Sequence, residues 1–112
     1  METTERRIFW GWFLIENDAP FLEQEDASLV PVIFPDSDKE IRFRVLLEHQ
    51  VSILGRMSEP VLSALGKLPA IVAENIVSHQ DVALRAYEIY ESGGGGCALD
   101  NWLLAERQLL GI

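Results

Sequence analysis

The sequence predicts an α+β protein in which a short N-terminal β unit is followed by a mostly helical half that ends in an antiparallel helical hairpin. The run RIFWGWFLIE near the start is dense in the aromatic and β-branched residues that favour strands. The second half carries repeated helix-start and helix-stop signals. With 112 residues, 48% of them hydrophobic, the chain is long enough for one domain with a buried core.

The first predicted element is a strand over residues 6–16, within which Gly11 indicates a bulge or a close backbone approach. Alternation along a strand puts Trp10 and Trp12 on one face and Phe9 and Phe13 on the other. Two interpretations are open. Either all four rings belong to the core, or one pair forms an interface for self-association or for a partner.

An acidic segment follows this strand. Residues 16–26 contain five acids and no base, together with turn-forming residues around Pro20, and they predict a mobile acidic loop. These acids either solvate the surface or attract a basic partner, in which case Glu23, Glu25 and Asp26 are the candidate contacts.

A second strand is predicted over residues 29–34, at an edge or with a bulge, because Pro31 has no N–H to donate.

A helix is predicted from Asp36 or Ser37, since either can cap it and acids occupy its first turn. The alternating apolar residues of 41–47 leave a strand as the alternative there. Residues 50–55 either continue the helix or form a short third strand.

Two further helices are predicted between residues 58 and 77. Ser58-Glu59-Pro60 has the composition of a helix start, because proline is tolerated in a first turn, and Gly66 ends that helix. Pro69 then starts the next helix, which runs to about Val77.

The last two helices are predicted to fold back on each other. Ser78 caps the first, and Asp100 caps the second, which ends at Gly111. The glycines between them, residues 93–96, follow a helix and have no lysine nearby, so they do not fit a phosphate-binding loop. We expect the first glycine to adopt the left-handed conformation that ends a helix, and the others to reverse the chain.

The segment RAYEIYESGGGGCALDNWLLAERQLL resembles the bacterial domain of unknown function 2934. The likeness covers about residues 78–110, so we divide the chain into residues 1–77, of no recognised family, and residues 78–112, the hairpin. The family has no assigned activity, and the resemblance therefore implies an architecture rather than a function. The matching residues are Arg85, Ala86, Tyr87, Glu88, Tyr90, Glu91, Trp102, Leu103, Ala105 and Glu106, with Tyr90 where the family usually has Trp.

Two contacts are predicted within the hairpin. The indole of Trp102 packs against the small side chain of Ala86, and burial of that ring contributes about 2–3 kcal/mol. Arg85 and Glu106 form an ion pair between the two helices.

Composition excludes several classes of function. The chain has 18 acidic and 9 basic residues, a net charge of −9, and no cluster of Lys and Arg, which opposes direct nucleic-acid binding.

The single cysteine, Cys97, suits a reducing compartment, and we expect a cytoplasmic location. The apolar run of residues 8–15 is too short to span a bilayer and lacks the features of a signal peptide.

Catalysis and metal binding are not expected. His49, predicted on a helix face, and His79, predicted to be exposed, do not combine with Cys97 into a spacing typical of zinc ligands. Asp100 beside Cys97 opposes an activated thiolate. We therefore expect no cofactor, no metal and no catalytic residue.

The sequence thus favours a small acidic, non-enzymatic interaction protein of a bacterium or its phage, which binds a protein partner or itself. A more specific version is an inhibitor that occludes a basic, nucleic-acid-binding site on its partner. The alternative is a small ligand-binding protein or enzyme with a pocket between sheet and helices, and a polar pocket around His49 would indicate it.

Overall fold

The protein is built around a β-barrel, with three α-helices in the part of the chain that the structure describes. The structure is a computed structural model that describes residues 5–63, 65–93 and 96–112. Its elements are β1 (Arg7–Glu16), β2 (Ala19–Glu23), β3 (Leu29–Ile33), α1 (Ser37–Phe43), a 3₁₀ turn (Arg44–Leu46), β4 (His49–Ser63), β5 (Gly66–Ser78), α2 (His79–Glu91) and α3 (Ala98–Leu110).

The barrel closes in the order β1-β2-β3-β5-β4, with β4 returning to pair with β1. All neighbours are antiparallel except β3 and β5, which are parallel. A five-stranded closed barrel of this order, with a helix between β3 and β4, has the topology of the OB type. That topology hosts many unrelated functions, so function has to be argued from the side chains.

The prediction of a mostly helical second half is wrong. Residues 49–63 and 66–78 form the two longest strands of the barrel, where helices were predicted from Pro60 and Pro69. These two prolines lie opposite each other in a part of the β4–β5 hairpin where neither strand has another neighbour. Proline is tolerated in a strand that has one free edge, and it is tolerated at a helix start, so the local signal was ambiguous.

The prediction of a mobile acidic loop over residues 16–26 is also wrong. Ala19–Glu23 is strand β2, and its Phe21 and Leu22 are fully buried. Of the five acids, Glu25 and Asp26 lie in a turn of residues 24–28, in which Gln24 N donates to Ser28 O at 2.9 Å.

The predicted strand over residues 6–16 is confirmed, and so is the close backbone approach at Gly11. A Cβ at Gly11 would lie 2.4 Å from Glu23 O of β2. The strand predicted over residues 29–34 is present as β3, but it is not an edge strand. Pro31 immediately precedes Val32 and Ile33, which pair with β5.

The helix predicted after Asp36 is present but short, since α1 ends at Phe43. Residues 50–55 do not continue it, because they belong to β4, which begins at His49. The Asp36 side chain caps it by accepting from Asp38 N at 2.9 Å.

Two apolar cores result from the alternation of side chains along the strands. The first core fills the barrel and includes Phe9, Phe13, Val51 and Ile53. The second core lies between the outer face of the barrel and the helices, and its buried members are Leu54, Val77, Val82, Ile89, Ala105 and Leu110.

The predicted helical hairpin is present. Ser78 caps α2 by accepting from Asp81 N at 3.1 Å, and Gly93 follows α2 with a φ of 82°. Gly111 ends α3 with a φ of 84°.

The prediction that Asp100 caps the second helix of the hairpin is wrong, because α3 begins at Ala98. Of the glycine run, residues 94 and 95 lie outside the described residues.

The helices run antiparallel. Tyr90 near the end of α2 and Ala98 at the start of α3 line the same depression, while Arg85 in the middle of α2 donates to Gln108 near the end of α3 at 2.9 Å. Ala86 and Trp102 both pack against the second core, and the predicted direct contact between them stays a prediction. Among the helices in the described ranges, none is long and apolar enough to cross a membrane.

Candidate functional site

A buried carboxylate joins the hairpin to the barrel. Glu106 of α3 is only 2% exposed, and its Oε2 accepts hydrogen bonds from Trp10 Nε1 at 2.7 Å and from Ser52 Oγ at 2.5 Å. Trp10 and Ser52 are direct cross-strand partners on β1 and β4, so the barrel presents the two donors side by side. These hydrogen bonds offset part of the desolvation cost of the buried carboxylate.

The predicted ion pair between Arg85 and Glu106 is therefore not formed. Arg85 lies 3.8 Å from Glu88 on its own helix and bonds Gln108, while Glu106 points to the barrel. Among the ion pairs of the described residues none includes Glu106.

His79, the first residue of α2, extends this polar cluster. Its Nε2 lies 3.0 Å from Ser52 Oγ, and its ring makes edge contacts with Trp10 and Trp102 at centroid distances of 5.7 and 5.2 Å. The Ser52 hydroxyl has one proton, which it donates to Glu106. It therefore accepts from Nε2–H of His79, and this fixes the neutral tautomer as the one protonated on Nε2.

Two opposing effects act on His79. Burial lowers the pKa of its imidazole below the usual 6.5, and the negative charge of Glu106 partly opposes that decrease. The balance favours the neutral imidazole at pH 7.

A cleft of about 220 Å³ opens beside this cluster, on the outer face of the barrel. His79 and Trp10 belong to both the cluster and the cleft. The other lining residues come from β1, β2, β4 and the turn after β2, and they are Gly11, Trp12, Glu23, Gln24, Glu25, Ala27 and Gln50.

The chemistry of the cleft is aromatic and acidic. Trp10 and Trp12 are 48% and 44% exposed, which is unusual for indole rings in the middle of a strand. Glu23 and Glu25 contribute carboxylates, and none of the lining residues is Lys or Arg. Indole faces and carboxylates both attract cations.

Asp26 lies just outside, in a neighbouring depression of about 510 Å³ that shares Trp10, Gln24 and Glu25 with the cleft. Its Oδ1 accepts from Ser28 Oγ at 2.6 Å and from Ser28 N at 3.0 Å. These bonds lower the pKa of the Asp26 carboxyl and so keep it ionised.

The structure brings together most of the side chains for which the sequence predicts an interaction role. Trp10, Trp12, Glu23 and Glu25 line one cleft, with Asp26 at its border. The residues predicted to have a structural role differ in burial. Tyr87 and Tyr90 are more than half exposed, Trp102 is partly buried and Glu106 is buried.

Sequence reasoning missed Ser52 and His79. His79 was expected to be exposed, and it is instead half-buried against two indoles. His49, the histidine expected on a helix face, is exposed at the start of β4. No local signal distinguishes the two, because the partners of His79 lie on β1, β4 and α3.

Other reactive groups are less organised. Cys97 is exposed, and its side chain makes no capping hydrogen bond at the start of α3. Within the described ranges, no three His, Cys, Asp or Glu side chains cluster closely enough to hold a metal ion.

Comparison of the chain with protein-family models and with curated proteins gives no match. The resemblance of residues 78–110 to the domain of unknown function 2934 therefore stays a prediction.

Proposed function

We propose that this protein is a non-enzymatic interaction module whose aromatic, acid-rimmed cleft binds a basic segment of a protein partner. One observation carries the proposal. Two half-exposed tryptophans and two glutamates line the same concavity, and none of its lining residues in the described ranges is Lys or Arg. A Lys or Arg side chain placed there would contact indole faces and carboxylates together, and such cation–π contacts contribute about 0.5–2 kcal/mol each.

The net charge of −9 supports the same partner chemistry, because it favours encounter with a positively charged surface. A basic nucleic-acid-binding protein is one such partner, and occlusion of its basic site would make this chain an inhibitor. The acidic balance opposes direct nucleic-acid binding on the barrel. We propose a cytoplasmic location, in keeping with the single thiol.

The proposal is tested with a fluorescein-labelled octa-arginine peptide, whose binding is followed by anisotropy and by quenching of the tryptophans. We expect saturable binding that weakens as salt rises, since exposed charges are screened. The triple variant Glu23→Gln, Glu25→Gln, Asp26→Asn is expected to bind about tenfold more weakly, as three exposed ion pairs of about 0.5 kcal/mol each predict.

A matched control removes three exposed carboxylates elsewhere, in the variant Glu5→Gln, Glu59→Gln, Glu91→Gln. It has the same net charge as the first variant, so equal losses in both would show that only overall charge matters. Peptide that fails to bind, or that binds equally in high salt, contradicts the proposal.

A second candidate function follows from the size of the cleft. About 220 Å³ is below the roughly 300–1,000 Å³ of most small-molecule pockets, but it suits a small organic cation. Quaternary ammonium groups are typical ligands of aromatic sites. Titration with tetramethylammonium tests this, and binding tighter than that of the peptide would favour a small-ligand receptor.

A further inference from the structure

The hydrogen-bonded cluster behind the cleft bears on how the cleft is controlled. Its members run in series from His79 through Ser52 to Glu106, and Glu106 also accepts from Trp10. His79 and Trp10 are also walls of the cleft. A change of charge on His79 is therefore felt directly by any ligand in the cleft.

We propose that His79 makes cation binding in the cleft proton-linked, so that the neutral imidazole admits a cation and the imidazolium opposes it. The inference rests on the proposed function, because it describes the regulation of that same cleft. In the neutral form Nε2–H of His79 stays hydrogen-bonded to Ser52, so Nδ1 is the atom that is protonated and deprotonated. When a cation binds to protein with a protonated His79, this proton leaves Nδ1 for solvent.

The charged surroundings of His79 define this effect. Glu106 of α3 reaches it through Ser52, and Glu23 and Glu25 line the same cleft from β2 and the turn after it. On its own helix, Asp81 lies in the first turn. From β1 and β4, Trp10 and Ser52 contact His79 and Gln50 lines the same cleft, and none of these three side chains carries a charge. Among the described residues that line the cleft, His79 is the one of a type that ordinarily changes charge between about pH 5 and 8.

Burial and Glu106 set the pH at which this happens. Desolvation lowers the pKa of His79, and Glu106 raises it. Removing the Glu106 charge should therefore move the transition to lower pH. In the Glu106→Gln variant the amide oxygen can still accept from Trp10 and Ser52, so we expect the cleft to keep its shape.

The test measures octa-arginine affinity between about pH 5.5 and about pH 8.5 at constant ionic strength. Arginine keeps its charge throughout, and the scan stays above the usual range of carboxyl pKa values. We expect binding about fivefold weaker at the acidic end, from the repulsion of one added charge several ångströms away. The His79→Gln variant should lose most of this dependence.

His49→Gln is the matched control, since His49 is the other histidine of the chain and is exposed at the start of β4. It should keep the dependence of the unmodified protein. Glu106→Gln should keep binding at high pH but shift the midpoint to lower pH, an effect that loss of folding alone would not produce.

The outcomes separate the two proposals. Binding that is equally strong across the pH range, or that keeps its pH dependence in His79→Gln, overturns the proton linkage and leaves the cleft as a cation site. Absence of binding at every pH overturns the proposed function, and the linkage with it.

Discussion

At the scale of single residues, Glu106 has an unusual environment. It is a buried carboxylate that is neutralised by no Lys or Arg in the described part of the chain and is held instead by a serine and an indole. Removing one partner of such a group costs more than the bond itself is worth, because the remaining polar atoms stay buried and unpaired. Ser52 is the central member, since it bonds both Glu106 and His79.

Ser52→Ala should therefore destabilise the protein by about 1–3 kcal/mol. The loss leaves Glu106 with one donor fewer and leaves His79 Nε2 without its partner. Urea unfolding followed by circular dichroism gives the free energy of unfolding. Ser37→Ala, at an exposed serine at the start of α1, is the control and should change it by less than about 0.5 kcal/mol. Equal effects of the two substitutions would contradict the role of Ser52.

At the scale of elements, the two faces of α2 differ in what they contact. Val82 is fully buried in the second core, whereas Leu84, two positions later, is 58% exposed. The buried face of the helix packs into the second core through Val82 and Ile89. The hydrogen bond from Asp81 N to the Ser78 side chain fixes the residue at which the helix begins.

We expect Val82→Ala to cost about 1–3 kcal/mol, because it removes buried methyl groups and leaves a cavity between helix and barrel. Leu84→Ala removes more apolar atoms from the same helix, yet it should change stability by less than about 0.5 kcal/mol. Thermal and urea unfolding of both variants measure the difference. If Leu84→Ala were the more damaging change, the hairpin would be docked through the other face.

The sequence signals that failed at this scale were local signals for a non-local element. Pro60 and Pro69 look like helix starts when each is read alone, but they oppose each other across a hairpin. Caps and left-handed glycines were predictable because they involve residues only a few positions apart, as Ser78 and Gly93 show. Pairing of β4 with β1 connects residues more than 35 positions apart, and no short window contains it.

At the scale of the whole molecule, the titration of His79 is coupled to folding. Its pKa in the fold is lowered below 6.5, so between those two values the unfolded chain binds more protons than the folded one. The free energy of unfolding then rises with pH through this window and levels off above about pH 7. The stability contributed by the neutral histidine is present above 6.5 and is lost as pH falls through the folded pKa.

We expect the urea midpoint to decrease from about pH 7.5 to about pH 5.5, with a smaller decrease in His79→Gln than in the unmodified protein. His49→Gln should follow the unmodified protein. A midpoint that rises on acidification, or a decrease untouched by His79→Gln, would contradict this assignment.

The sequence by itself determined the first strand, the alternation that separates Phe9 and Phe13 from Trp10 and Trp12, and the helix ends at Ser78, Gly93 and Gly111. It left open whether one of the aromatic pairs lies outside the core, and it placed the cap of α3 wrongly at Asp100. These features depend on residue type and on spacings of a few positions. Only the tertiary structure decided that the chain closes into a barrel and that Glu106 reaches Trp10, from which it is separated by 96 positions. The physical reason is that strand pairing and buried polar contacts join segments that are distant in sequence. Which of these segments pack together depends on the burial of apolar surface over the whole chain.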